Sequence, residues 1–160
     1  MRLDLDRTPP GQSDLPVDGR FDLDLGPDSP DEVRVGGNLR VDNLEGRFVL
    51  RGELTGSVTA PCDRCLEPFT LTFPVAVELV VLRDAGHETG DSDTPVLHQR
   101  DGLVDLAETV REATVLSLPQ SKICREECRG ICAQCGADLN AGPCDCADDE
   151  IDPRWEGLPD

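Results

Sequence analysis

Side chains two apart share one face of a strand, and from Phe48 to Leu82 the chain keeps that period almost without a break. Phe48, Leu50, Leu54 and Val58 hold one parity, with Gly52 and Gly56 in register. Beyond a turn, Phe69, Leu71, Phe73, Val75, Val77, Leu79 and Val81 hold one parity as well. The pattern predicts a long hairpin with one buried face, whose connecting loop from Ala60 to Pro68 contains Cys62-Asp-Arg-Cys65. Pro74 has no amide to donate, which places its strand at an edge or makes it irregular there. Upstream, Val33 and Val35, then Leu39 and Val41, alternate around Gly36-Gly37, which reads as a bulge or a turn. Leu3 with Leu5, and Phe21 with Leu23 and Leu25, predict two short strands joined by a mobile loop.

Past the hairpin the period changes. Residues 84–101 carry Gly, Asp, Ser, Thr and Pro with little apolar content and read as a flexible acidic loop. His87 and His98 lie in or beside it, and both read as solvated loop histidines rather than metal ligands. A helix follows: Asp105 is placed as its N-cap, with Glu108 three residues on as in a capping box. Leu106, Val110 and Ala113 fall on one face, with Leu116 beside them, and Pro119 ends the helix. The expected fold is α+β, a mostly antiparallel β-sheet with a long hairpin and one covering helix over residues 1–119. A Cys-rich zinc-binding C-terminal segment and tail over 120–160 completes it.

Composition narrows the class. At 160 residues the chain suits one domain with a small appendage. The longest apolar stretch, Val75 to Leu82, is broken by Glu78 and is far shorter than the roughly 20 residues of a membrane-spanning helix. The N-terminal MRLDLDRTPP lacks the basic flank and apolar run of a secretory signal, so the expectation is a cytoplasmic protein with no membrane partner. The net charge is −18 and Lys122 is the only lysine. Such a field repels phosphates and, with aromatics at 3%, disfavours direct RNA binding. A basic protein fits better as partner, although acidity also serves solubility alone.

In a reducing cytosol, the eight cysteines point to metal or redox chemistry rather than disulfides. Cys124, Cys128, Cys132, Cys135, Cys144 and Cys146 are spaced C-x3-C-x3-C-x2-C-G-x7-C-x-C. Zinc takes four thiolates in a tetrahedron, and Cys132-Ala-Gln-Cys135-Gly136 has the form of a zinc knuckle, its glycine permitting the left-handed backbone the turn needs. Two pairings are open. The knuckle joins Cys124 and Cys128, leaving Cys144 and Cys146 for Cys62 and Cys65; or it joins Cys144 and Cys146. One zinc ion is expected and eight cysteines allow two, with Cys62 and Cys65 ranked behind the other six. A thioredoxin-like role for Cys62/Cys65 is the lesser reading, because a β-turn offers no helix N-terminus to lower a thiol pKa. Lys122, Arg125 and Arg129 lie beside the ligands and could offset the charge of −2 on a tetrathiolate zinc; ordinary solvated charges are the equal alternative.

Enzymatic motifs are missing. There is no HExxH, no histidine within the cluster, no deaminase signature, no GxSxG and no phosphate loop, so the sequence reads as non-enzymatic with a structural metal. Trp155, in the tail from Ile151 to Leu158, reads as an anchor that packs back on the domain.

Four features in order carry a resemblance: the hairpin bearing CDRCLEPF, the helix entered by VDLAETVRE and leaving through LSLP, the stretch CRGICAQCGADLN with CDC, and DPRW. Together, over roughly residues 45–158, they resemble the YceD family of large ribosomal RNA subunit accumulation proteins. The resemblance implies a bacterial cytoplasmic protein needed for large-subunit ribosomal RNA to be processed or to accumulate. Some relatives lack the C-terminal cysteines, which implies that zinc there is a stabilising option and gives the hairpin CxxC the wider role. It supplies no catalytic residues. The expected function is a non-enzymatic ribosome-assembly factor holding a basic ribosomal protein or assembly factor. A cytosolic thiol/zinc redox sensor is the alternative, and a nuclease cofactor touching RNA directly is disfavoured by charge.

Overall fold

The computed structural model describes residues 1–23, 32–44, 46–83, 94–98 and 102–146. Leu25, His87 and the tail with Trp155 lie outside the described residues. Most of the described chain is β-sheet, with one short helix. The elements run β1 (Arg2–Asp4), β2 (Gly11–Asp22), β3 (Glu32–Leu44), β4 (Arg47–Pro61), β5 (Pro68–Leu82), β6 (Val96–His98), β7 (Leu103–Asp105) and α1 (Ala107–Ser117). A five-stranded sheet has the order β2-β3-β4-β5-β6, and β1 pairs with β7 in a separate ribbon. β4 and β5 are antiparallel from Arg47↔Leu82 to Pro61↔Pro68, a ladder about 50 Å long at roughly 3.3 Å per residue.

Period-two patterning puts one parity of each strand into a single core. β3 contributes Val33, Val35, Leu39 and Val41; β4 contributes Phe48, Leu50, Leu54 and Val58; β5 contributes Phe73, Val75, Val77, Leu79 and Val81. Leu3 and Leu5, Val104 and Leu106, and Val110 of α1 cover that face. Each such side chain, fully buried, contributes about 1.5–3 kcal/mol. The opposite face is largely polar and exposed, apart from the buried Val80 and the half-buried Val49 opposite it.

Several local expectations are revised. β2 is one strand of 12 residues, not a short piece at Phe21. β3 runs straight through Gly36-Gly37: Arg34↔Ser57 and Arg40↔Arg51 keep the same register, so the pair is neither a bulge nor a turn. Residues 96–98, read as loop, form β6 parallel to the end of β5, and His98 is its exposed last residue. Pro74 lies where β5 is an edge strand, since β6 pairs only with Val80 to Leu82. The Val80 amide, at the same parity, points outward to the Pro95 carbonyl at 3.0 Å. Pro74 therefore removes a donor from the open side and costs no bond to β4.

The capping box does not form. Leu106 is the N-cap because its fully buried side chain is held in the core, and this shifts the helix start by one residue. Asp105 accepts a hydrogen bond from the Ala107 amide at 3.0 Å, and Glu108 is held by Arg111 at 2.7 Å instead. Leu116 is 87% exposed, being about 240° round the helix from Val110 at 100° per residue. Thr114 takes the buried position one turn on, its hydroxyl satisfied by the Val110 carbonyl at 2.6 Å.

Candidate metal centres

The β4–β5 ladder closes at Pro61↔Pro68, leaving residues 62–67 to turn the chain. Within that turn the Cys62 amide donates to the Glu67 carbonyl and the Leu66 amide to the Cys62 carbonyl, both at 2.9 Å. Cys132 to Ala137 repeats the arrangement: the Cys132 amide donates to the Ala137 carbonyl and the Gly136 amide to the Cys132 carbonyl, again at 2.9 Å. The fifth residue of each turn is left-handed, Leu66 with φ 63° and Gly136 with φ 72°. The hairpin turn is thus a second knuckle, built with a leucine where the C-terminal one has glycine.

These knuckles anchor two clusters. Cys62, Cys65, Cys124 and Cys128 bring four sulfurs within 4.8 Å of one another, and so do Cys132, Cys135, Cys144 and Cys146. In the first, Cys62 Sγ lies 3.9 Å from Cys128 Sγ and Cys65 Sγ lies 3.8 Å from Cys124 Sγ. A tetrahedral ion with Zn–S bonds of about 2.3 Å would space its sulfurs about 3.8 Å apart. A disulfide needs about 2.05 Å, and all eight cysteines are free. The donor set therefore fits two four-coordinate ions, and both clusters could hold metal. Of the two sequence pairings, the structure forms the one joining the knuckle to Cys144 and Cys146. Cys62 and Cys65, ranked second from sequence, supply half of the more buried cluster. In that inner cluster Cys62, Cys65 and Cys128 are buried and Cys124 is half-buried; in the outer one Cys135 is exposed and the rest are half-buried.

The thiols are polarised in the way ligands require. Burial pushes Cys62 up, but amide donors from Cys124, Cys65 and Arg64 outweigh it and bring the thiol down to about 6. Amides of Cys135 and Gln134, with the Cys144 and Cys135 thiols, bring Cys132 down to about 6. Burial and the sulfurs of Cys62, Cys128 and Cys65 push Cys124 up to about 12. The Cys135 sulfur, then burial and the Cys132 and Cys144 sulfurs, push Cys146 up to about 12. The Glu67 amide pulls Cys65 down, but burial and the Cys62 and Cys128 sulfurs raise it overall. Each cluster thus holds one thiol readily ionised and one that resists adding negative charge to its neighbours. A divalent cation among four sulfurs removes that resistance.

The inner cluster also ties the C-terminal segment to the hairpin. The Asp63 amide donates to the Lys122 carbonyl at 2.7 Å, and the Lys122 amide to the Asp63 carboxylate at 2.6 Å. Arg64 donates to the carbonyls of Cys128 at 3.0 Å and Glu126 at 3.4 Å. The sequence reading missed Arg64 and Asn140. The Asn140 amide side chain lies 3.7 Å from Cys128 Sγ; its sign in the sequence is the Asp138-x-Asn140 turn pattern. Two of the nearby cations act on carboxylates: Lys122 Nζ is 3.9 Å from Asp63, and Arg125 lowers the Asp138 carboxyl, after larger effects from the Asn140 amides. Backbone amides face the sulfur of Cys62: those of Arg64 and Cys124 each lie 3.4 Å from its Sγ.

Together these features define a sheet protein, covered on one face, with two four-cysteine clusters, the inner one at the end of its longest hairpin. The chain belongs to the YceD family, described as large ribosomal RNA subunit accumulation protein YceD, whose family model matches residues 50–160. It is 32% identical over 122 residues to an uncharacterized protein of Mycobacterium tuberculosis, covering 76% of this chain and 58% of that one. An uncharacterized protein of Mycobacterium leprae is 30% identical over 124 residues, covering 77% and 57%. The large ribosomal RNA subunit accumulation protein YCED homolog 1, chloroplastic, of Arabidopsis thaliana is 34% identical over 55 residues, covering 34% of this chain and 17% of that one. The chain therefore spans less than two thirds of the length of these relatives. No solved structure matches it.

Proposed function

We propose that the protein is a non-enzymatic cytoplasmic factor that supports processing or accumulation of large-subunit ribosomal RNA by holding a basic protein partner, with Zn²⁺ as a structural staple in both clusters. Membership of the YceD family, with its link to large-subunit ribosomal RNA accumulation, is the observation that carries this reading. A structural role for the metal draws support from saturation: four sulfurs per cluster leave no open position for substrate or water, as hydrolytic zinc needs. No described helix is long and apolar enough to cross a membrane.

Charge distribution favours a basic protein over bare RNA. Much of the acidity sits in three stretches: Asp24, Asp28 and Asp31; Asp84, Glu88, Asp91 and Asp93; and Asp148, Asp149, Glu150, Asp152, Glu156 and Asp160, with Arg154 the only cation among them. On the open face of the sheet three arginines have carboxylates: Arg20 with Glu32, Arg34 with Asp18, and Arg51 with Asp42, at 3.1–3.3 Å, while Arg40 and Arg47 are exposed on the same face. Phosphates would have to displace these carboxylates before gaining contacts. Affinity purification from bacterial lysate at moderate salt, with and without ribonuclease, tests the reading. The expected result is a basic ribosomal or assembly protein retained after ribonuclease; bare RNA with no such protein refutes it.

A second reading, a thiol/zinc redox sensor, draws on the exposed outer cluster with Cys132 brought down to about 6. Mild peroxide would then eject metal and change partner binding, whereas tightly held, unreactive ions would exclude it.

A further inference from the structure

Asn140 lies in the loop that closes the outer cluster, between Cys135 and Cys144, yet its side chain reaches a ligand of the inner one. Its Oδ1 accepts the Arg129 amide at 2.9 Å. A backbone amide can only donate, so this contact fixes which way the carboxamide points. The NH₂ group is then directed at the Asp138 carboxylate, 2.7 Å away, and at Cys128 Sγ, 3.7 Å away. The Asp138 carboxylate also accepts the Asn140 backbone amide at 2.9 Å, which sets the turn carrying the side chain.

The backbone between the clusters is held from both sides. The Ile131 amide donates to the Arg64 carbonyl of the inner knuckle at 3.1 Å, while the Gly130 carbonyl accepts the Leu139 amide of the outer loop at 2.9 Å. Ile131 and Asp138 form an isolated antiparallel bridge. Gathering Cys132, Cys135, Cys144 and Cys146 around an ion fixes the 136–143 loop, and that loop delivers the Asn140 donor to Cys128. A donor on a ligating thiolate relieves its charge and holds its orientation, and loss of such a contact typically weakens a site about 10- to 100-fold.

We propose that the two clusters form one coupled two-ion centre, in which Asn140 is the positioning residue through which filling the outer cluster tightens metal binding by the inner one. The proposal rests on both clusters holding metal. Linkage makes the effect reciprocal, so an ion in the inner cluster tightens the outer one by the same factor.

The test uses the full chain, stripped under reducing conditions and reloaded with Zn²⁺ or Co²⁺, with ions counted by native mass spectrometry and affinities read by chelator competition. Wild type is expected to hold two ions. Asn140→Ala should keep both cysteine sets and lower the product of the two binding constants about 10-fold or more. Cys144→Ser/Cys146→Ser, which disables the outer cluster without altering the Asn140 side chain itself, should weaken the remaining ion comparably. Adding Asn140→Ala to that background should then change little, because the loop no longer presents the donor. Asn140→Asp, which retains the acceptor for Arg129 but lacks the NH₂ donor, covers the case in which the alanine variant does not fold. In the cobalt form, losing the N–H···S contact should move the sulfur-to-cobalt charge-transfer band to lower energy, a change that loop packing alone would not produce. A wild type that holds fewer than two ions removes the metal reading on which the proposal rests. Two ions with unchanged affinity in Asn140→Ala and Asn140→Asp, or an equal loss with and without the outer cluster, overturns the coupling alone.

Discussion

Gly130 and Gly136 provide an internally controlled test of how the cysteine-rich segment is clasped to the hairpin. Their backbones are nearly alike, with φ of 74° and 72°, so alanine at either carries the same left-handed penalty of about 1–2 kcal/mol. Part of that is offset because alanine also restricts the unfolded chain, by about 0.4–1 kcal/mol. The surroundings differ sharply. A Cβ at Gly136 meets nothing within 4 Å, whereas one at Gly130 would lie 2.9 Å from the Arg64 carbonyl oxygen. That oxygen accepts the Ile131 amide and belongs to backbone, which cannot swing aside as a side chain can. Overpacking of this kind costs about 1–3 kcal/mol, and loss of the hydrogen bond about 1 more. For a chain of this size 1 kcal/mol moves Tm by about 2–4 °C. With zinc bound, Gly136→Ala is expected to lower Tm by about 2 °C and Gly130→Ala by about 11 °C, read by thermal unfolding at fixed zinc concentration. Limited proteolysis of Gly130→Ala should cut first within residues 120–146. Equal shifts for the two variants would show that the 129–131 segment is not seated against the hairpin turn.

Three further outcomes follow from the same structure. The main core contains no cysteine, so chelation should leave the far-ultraviolet β signal in place while protease sensitivity rises within residues 120–146; loss of the sheet signal would refute the separation of core and clusters. In metal-free protein Cys132, lowered to about 6, gains thiolate as pH rises through that value, so iodoacetamide should label it from about pH 6 upward. Cys146, raised to about 12, should stay unlabelled at pH 8; peptide mass mapping that finds both labelled alike contradicts this ordering. Gly56→Ala would put a Cβ 2.6 Å from the Phe73 ring, an overpacking cost of about 1–3 kcal/mol, and adding Phe73→Leu should recover most of it in denaturant unfolding.

How far the fold could be read from residues follows from how strongly each pattern is tied to burial. β4 and β5 were legible because one parity is buried along most of their length, from Phe48 to Val58 and from Phe73 to Val81. β2 was not: Leu15, Val17 and Phe21 share a parity, but Gly19 and Pro16 interrupt the signal, and proline is tolerated there only because β2 is an edge. β6 is three residues paired in parallel, held by a distant partner and not by local propensity. The spacing of the cysteines identified the Cys132/Cys135 knuckle but left the tetrads open. Either pairing of the four couples closes one short and one long loop, and their closure entropies differ by only about 0.5 kcal/mol. What separates the alternatives is three-dimensional: the Arg64 carbonyl and the Asp63 carboxylate sit where they capture Ile131 and Lys122, setting Cys124 and Cys128 over the hairpin turn.

Net charge describes a whole chain, whereas recognition happens at a surface, and here the two diverge. The sheet face that a partner would meet as a rigid platform is close to balanced, each of Arg20, Arg34 and Arg51 facing a carboxylate across the strands. Most of the unbalanced charge, −12 of the net −18, belongs to the stretches 24–31, 84–93 and 148–160. The exposed pairs Arg20–Glu32 and Arg34–Asp18 contribute about 0–1 kcal/mol each to stability, so the sheet needs neither arginine for folding. Paired in this way, the three arginines add no positive surplus to the platform. Attraction for the proposed basic partner would then come from the acidic stretches and be screened over about 10 Å at 0.1 M salt, while shape and hydrogen bonding on the sheet would be largely indifferent to salt. Partner capture that weakens steeply with salt therefore assigns recognition to the acidic stretches, and capture that persists assigns it to the sheet.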